Sequence, residues 1–199
     1  MNKLKIFLQV VTVIVIGLMF YQTAEAQNRA DRTLLNEAQR VTNDDFSFES
    51  QTPKGARIFA VKKPNAKMLN AIDQGLTDLF AVAQKNNYRK RLNYSDYTIF
   101  IARADRTINS DKNYSPDIAV GSAQYAGSVY DQGGFVYAAG MVLAYNPCAF
   151  VFAEHTKDFQ RVSEIVRYEG EHLVLYHNDR QLYRNTADHS RGGGHPILQ

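Results

Sequence analysis

The chain has 199 residues, with 23 Lys and Arg against 20 Asp and Glu, which gives a formal net charge of +3 at pH 7. This near balance, with the basic residues scattered, argues against a nucleic-acid partner. Cys148 is the only cysteine, so an intramolecular disulfide is excluded. Its apolar neighbours indicate a buried small side chain rather than a nucleophile.

The first 26 residues are typical of a secretory signal peptide. Lys3 and Lys5 precede a largely apolar run, residues 6–20, and Ala24-Glu25-Ala26 forms a small-x-small cleavage site. A retained membrane anchor is the alternative, but the apolar run is short for a bilayer span and contains Gln9. We therefore expect cleavage after Ala26, a secreted or periplasmic protein, and no stable membrane span in the mature chain.

The next segment, residues 27–55, is polar and is predicted to be an N-terminal arm or linker with one short helix, Arg32 to Val41. About 170 residues remain after cleavage, which suits a single domain, predicted over residues 56–199. This domain opens with a predicted strand at residues 57–63. A long helix from Pro64 to about Asn87 follows, with apolar residues at three-four spacing.

Three further strands are predicted. Residues 96–103 are apolar on both faces, which indicates a strand that is covered on both sides. Residues 118–131 and 133–146 predict two short strands that are joined near a glycine-containing turn. A second long helix is predicted from Asp158 to Asn178. This order predicts an α+β domain: a twisted mixed sheet, a long backing helix and a second long helix.

Polar residues interrupt the apolar stripe of the second long helix. Glu169 and His172 fall on the same face as Val162, Ile165 and Leu173. A carboxylate and an imidazole belong on an inward face only when they are paired, hydrogen-bonded or bound to metal. The same periodicity places Glu171 on the face that points away from the core.

Histidines and carboxylates are concentrated in the last quarter of the sequence. All five histidines lie between residues 155 and 195. Histidine and carboxylate together form the ligand set of zinc and its neighbours. The residues concerned are His155, His172, His177, His189 and His195, with Glu154, Asp158, Glu164, Glu169, Glu171, Asp179 and Asp188.

The C-terminal tail contains three consecutive glycines, residues 192–194, between His189 and His195. Such a run serves either a frayed terminus or a tight approach of the backbone to a site. The ending His-Pro-Ile-Leu supplies apolar residues that could dock and a proline that stiffens the chain, which favours the second interpretation.

The stretch IVRYEGEH, residues 165–172, resembles the active-site helix of the zincin metallopeptidases, whose motif is His-Glu-x-x-His. The order of the predicted elements resembles the catalytic core of that superfamily as well. The resemblance implies a zincin-like fold in which Glu169 matches the water-activating glutamate and His172 matches the second zinc histidine. Tyr168 stands at the position of the first zinc histidine, so the motif is incomplete.

The resemblance leaves further ligands to be identified. A tyrosine ligates zinc only as a phenolate, so Tyr168 is a poor ligand. His177 follows His172 by about 140° around the helix and can join it only if the helix ends earlier. The glycine-bearing tail is the better source. We therefore predict zinc as cofactor with His172, His189 and His195 as metal ligands, and with Tyr168, His177 and Asp188 as additional candidates.

The function implied by the resemblance is an exported metal-dependent hydrolase, a zinc peptidase with Glu169 as general base. Its substrate would be a peptide or protein that pairs with a strand near residues 134–139. The alternative is a catalytically inactive zincin-like relative, a binding or structural protein in which Tyr168, Glu169 and His172 join a polar network with Asp188 or His189. A third class, a ligand-binding module, would use tyrosines that also fit amphipathic sheet positions: Tyr125, Tyr130, Tyr137 and Tyr145.

Overall fold

The computed structural model describes residues 31–104, 118–121, 135–189 and 192–198. The predicted signal peptide lies outside these residues, as does the predicted turn at residues 131–134. The chain divides into two compact units, Met1–Asn36 and Glu37–Gln199. In the first unit the described residues, 31–36, are helical. Within the described ranges, no helix combines the length and the apolar character that a membrane span requires.

The second unit contains seven strands and four α-helices in the described residues. The strands are β1 (Phe48–Gln51), β2 (Arg57–Ala60), β3 (Tyr97–Ala102), β4 (Ile118–Gly121), β5 (Phe135–Ala138), β6 (Gly140–Tyr145) and β7 (Cys148–Ala153). The helices are α1 (residues 37–42), α2 (Ala66–Lys85), α3 (Phe159–Asn178) and α4 (Arg180–Thr186).

Five of the strands form one mixed sheet in the order β1-β2-β3-β7-β6. β2, β3 and β7 run parallel, whereas β1 and β6 are antiparallel to their neighbours. β4 and β5 form a separate antiparallel pair. The predicted α+β class with a mixed sheet and two long helices is thus confirmed.

The sheet has more strands than the sequence pattern predicts. The segment predicted as an arm or linker contributes β1, which pairs with β2 from Phe48 opposite Ala60 onward. β7 is a run of six buried residues beside β3. Cys148 lies at its start, and burial raises the pKa of its thiol to about 11, so the predicted buried role is confirmed.

The predicted single strand at residues 133–146 is in fact two. β5 pairs with β4, and after a bend at Ala139 the chain continues as β6, which pairs with β7. The edge strand that lies against α3 is therefore β6. It begins one residue after the segment 134–139 that was predicted to meet a substrate.

Side-chain caps fix where the two long helices begin. Asn65 Oδ1 accepts a hydrogen bond from Met68 N at 2.9 Å, so α2 begins after Asn65 rather than at Pro64. Asp158 caps α3 in the same way through Arg161 N, at 3.0 Å. α3 then runs to Asn178, as predicted.

β3 is buried on both faces, as its apolar pattern predicts. Tyr97, Ile99 and Ile101 belong to the core beneath α2 and α3. On the opposite face the ring of Phe100 stacks on Phe59, with centroids 5.2 Å apart, and meets Phe46 edge-on. At Phe100 the second face is therefore covered by Phe46, which precedes β1.

α2 and α3 approach closely at two glycines. A Cβ on Gly75 would lie 2.6 Å from the carbonyl oxygen of Ser163 and 2.8 Å from Val166 Cβ. A Cβ on Gly170 would lie 2.5 Å from the Leu79 side chain. The Ser163 hydroxyl also donates to the Ala71 carbonyl across this contact, at 2.9 Å. Absence of a side chain at residues 75 and 170 thus permits the helix crossing.

Gly75→Ala should lower the free energy of unfolding by about 1–2 kcal/mol. The added methyl meets backbone that cannot rotate away, and this cost exceeds the gain in helix propensity of about 0.5–1 kcal/mol. Gly170→Ala is the matched comparison, because the group it meets is the end of a rotatable leucine, and it should cost less. Urea denaturation followed by circular dichroism measures both. An unchanged or raised stability for Gly75→Ala would contradict this packing.

Candidate metal centre

α3 places Glu169, Glu171 and His172 around one half of the helix. At about 100° per residue, Glu169 lies about 60° to one side of His172, and Glu171 lies about 100° to the other. The first side faces β6, since Gly140 would meet Glu169 if it carried a Cβ. The second side faces the C-terminal tail, because Ile197 N donates to Glu171. His172 lies between these two carboxylates.

The tail returns to α3 through the glycine run. Gly193 N donates to the Asp188 carbonyl and Gly194 N donates to the Thr186 carbonyl, both at 3.0 Å. A Cβ on Gly193 would lie 2.3 Å from the Thr186 oxygen, and Gly192 has a φ of +82° that favours glycine. The glycines thus serve a tight backbone approach, the second of the two interpretations of this run, and Leu198 packs on the core.

This turn brings three imidazoles together. One ligand atom from each of His172, His189 and His195 lies within 4.8 Å of the others. The ring centroids are 5.1 Å apart for the 172–189 pair, 5.0 Å for 172–195 and 4.8 Å for 189–195. α3 supplies one ring, and the segment after α4 supplies the other two.

The environment favours the neutral form of two of these imidazoles, His172 and His189. Burial lowers the pKa of His172 to about 3, and the nearby rings of His195 and His189 contribute to the shift. Burial also lowers the pKa of His189. A neutral imidazole carries the lone pair that a metal ligand needs.

Glu171 is fully buried, so the expectation that it points away from the core is wrong. Its Oε1 accepts a hydrogen bond from Ile197 N at 2.9 Å, and its Oε2 lies 3.1 Å from His195 Nδ1. The helical period predicts only the direction in which Glu171 leaves its own helix. It could not reveal that the irregular C-terminal tail covers that side.

The remaining candidate ligands have other roles. Tyr168 is 41% exposed, and the face of its ring stacks on His195 with centroids 4.6 Å apart. His177 Nε2 lies 2.7 Å from the Tyr145 carbonyl oxygen. Asp188 is exposed, and its backbone carbonyl holds Gly193. His155 is buried near the end of β7. None of these histidines and carboxylates belongs to the described group of three.

Glu169 is the carboxylate that faces β6. Gly140 allows β6 to approach it so closely that an added Cβ would lie 2.9 Å from Glu169 Cγ and 3.1 Å from Oε1. Loss of hydration raises the pKa of Glu169 to about 8. The carboxyl group therefore exchanges a proton near neutral pH.

Tyrosines pack next to this carboxyl group. The ring of Tyr145 stacks on Tyr176, with centroids 4.2 Å apart, and its hydroxyl is hydrogen-bonded to that of Tyr183. Burial and this bond raise the pKa of Tyr145. Tyr125, Tyr130 and the side chain of Tyr137 lie outside the described residues.

Three histidine ligands with a further position left open are typical of catalytic zinc sites. Among the described residues, His172, His189 and His195 are the set that could hold such an ion.

Comparison with protein-family models, with curated proteins and with solved structures finds no match to this chain.

Gly193→Ala should release the tail, because its methyl would collide with the carbonyl oxygens of Thr186 and Asp188. Gly194→Ala is the matched control, since nothing lies within 4 Å of its added Cβ. Hydrogen–deuterium exchange of peptides from residues 187–198 should be faster in the first variant and unchanged in the second. Equal exchange in both variants would contradict the docked turn.

Proposed function

We propose that the protein is an exported zinc-dependent hydrolase of zincin-like type, a peptidase in which Glu169 is the general base. The observation that carries this proposal is the convergence of His172, His189 and His195, whose ligand atoms lie within 4.8 Å of one another. Two of these residues reach the third only because the chain after α4 turns back.

The donor set fits a zinc ion. Imidazole nitrogen is a preferred ligand of zinc, and three neutral imidazoles leave the ion a position for substrate or water. His189 Nε2 is buried and has no hydrogen-bond partner among the described residues. Such an atom costs free energy unless something binds it, and a metal ion would satisfy it.

Glu169 is suited to proton transfer. A carboxyl group with a pKa of about 8 can accept and return a proton near neutral pH. When bound, zinc supplies a Lewis acid that polarises a carbonyl group and lowers the pKa of water. Glu169 would take a proton from the attacking water and return it to the leaving amine.

β6 offers the place for an extended substrate. It is the edge strand of the five-stranded sheet, and its first residue, Gly140, lies against Glu169. Backbone groups on an edge strand can pair with an extended peptide, which would bring a peptide bond toward the carboxyl group. A peptide or protein is therefore the proposed substrate class.

Wild-type protein that has been loaded with zinc and desalted should retain one ion per chain, measured by plasma mass spectrometry. His172→Ala and His195→Ala should each lose most of it, because two imidazoles hold zinc more weakly than three. His177→Ala is the control, since this ring contacts the Tyr145 carbonyl instead, and it should keep the ion. A wild-type chain without zinc after loading would exclude the proposed site.

Glu169→Gln should reduce peptide cleavage by about 10²–10⁴-fold while the zinc content stays unchanged, because the amide cannot accept a proton. Glu164→Gln, on the same helix and bonded to Gln160 at the surface, is the control with the same change of charge. Cleavage of a fluorogenic peptide library measures both rates. Wild-type turnover by Glu169→Gln would rule out its role as base.

A second function, a catalytically inactive relative that binds a partner, is favoured by one observation. Tyr168 occupies the position of a zincin ligand, and the face of its ring is stacked on His195. A ring contact of this kind stabilises the position of His195 and requires no catalytic role for Tyr168. Zinc binding by a wild-type chain that cleaves no peptide of the library would support this second function over the first.

A further inference from the structure

We propose that Glu171 is a positioning residue that sets the orientation and tautomer of His195 for metal binding, and that it anchors the C-terminal tail at the same time. The metal-binding part of this inference rests on the proposed function. The part that concerns the tautomer applies to the metal-free chain.

Glu171 has two partners, and both come from the tail. It is 0% exposed, and a carboxylate in such surroundings is costly unless it is paired or hydrogen-bonded. Oε1 accepts from Ile197 N at 2.9 Å, whereas Oε2 lies 3.1 Å from His195 Nδ1, and neither of these last two atoms completes a hydrogen bond among the described residues. The carboxylate thus links α3 to both sides of Pro196.

The contact with His195 selects one form of the ring. A carboxylate beside Nδ1 favours the tautomer that carries the proton on Nδ1, which leaves the lone pair on Nε2. Carboxylates that contact the distal nitrogen of a ligand histidine fix its orientation and raise its basicity. Glu171 is placed to fix the orientation of His195.

Two further contacts restrict the same ring. Tyr168 stacks on its face at an interplanar angle of 27°, which fixes the plane of the imidazole. Leu198 packs on the core and holds the chain that follows. The plane of the imidazole is therefore restricted, and a carboxylate oxygen lies beside one of its nitrogens, before any metal binds.

Glu171→Gln tests the proposal. The amide oxygen can still accept from Ile197 N, but the amide NH₂ would donate to His195 Nδ1 and so favour the opposite tautomer, with the proton on Nε2. Long-range ¹H–¹⁵N spectra of the metal-free protein report the tautomer directly. Zinc affinity, measured by competition with a chelator, should fall by about 10–100-fold. Glu164→Gln should change neither quantity.

The two readouts separate this inference from the proposed function. The wild-type spectrum needs no variant: an Nε2-protonated His195 in the metal-free wild type would overturn the proposal even if Glu171→Gln failed to fold. Unchanged zinc affinity in a folded Glu171→Gln protein would also overturn it. A wild type that binds no zinc but shows the Nδ1-protonated ring and its reversal in Glu171→Gln would refute the metal function and leave the tautomer assignment supported.

Discussion

The crossing of α2 and α3 is the constraint on which the rest of the site depends. Gly75 lets the helices approach until backbone meets side chain, and Gly170 receives Leu79. Contact at these two points fixes the rotation of α3 about its own axis. That rotation decides which residues face β6, which face the tail, and which lie between them. Packing at two glycines that carry no reactive group therefore sets the direction in which Glu169, Glu171 and His172 project.

Regular elements could be predicted because their signal is periodic. The stripes of α2 and α3 and the two-sided apolar pattern of β3 predict both long helices and a central strand. β1 and β7 were missed for different reasons. β1 is short, polar and stabilised by pairing with β2. β7 follows β6 after a two-residue turn, and its run of apolar residues alone does not distinguish a strand from other buried structure. Strand pairing depends on partners that are distant in sequence, and a local pattern does not contain them.

The residues of the candidate site could be predicted from the sequence, but much of their spatial arrangement could not. Clustered histidines and the glycine run indicated His172, His189 and His195 without a structure. The role of Glu171 could not be predicted, because the helical period shows only the direction in which a residue points from its own helix. What covers that side is an irregular tail whose course is set by three backbone hydrogen bonds among glycines, Thr186, Asp188 and His189. Loops of this kind have no periodic sequence pattern from which their course could be predicted.

Gly140 has a consequence for the chemistry of its neighbour. The pKa of Glu169 is raised by loss of hydration alone, and β6 approaches it closely because residue 140 has no side chain. Proton affinity at this carboxyl group is therefore coupled to the separation of a strand and a helix. An outward displacement of β6 would admit water and return the group toward ordinary acidity. In this protein the position of β6 therefore sets the pKa of the Glu169 carboxyl group.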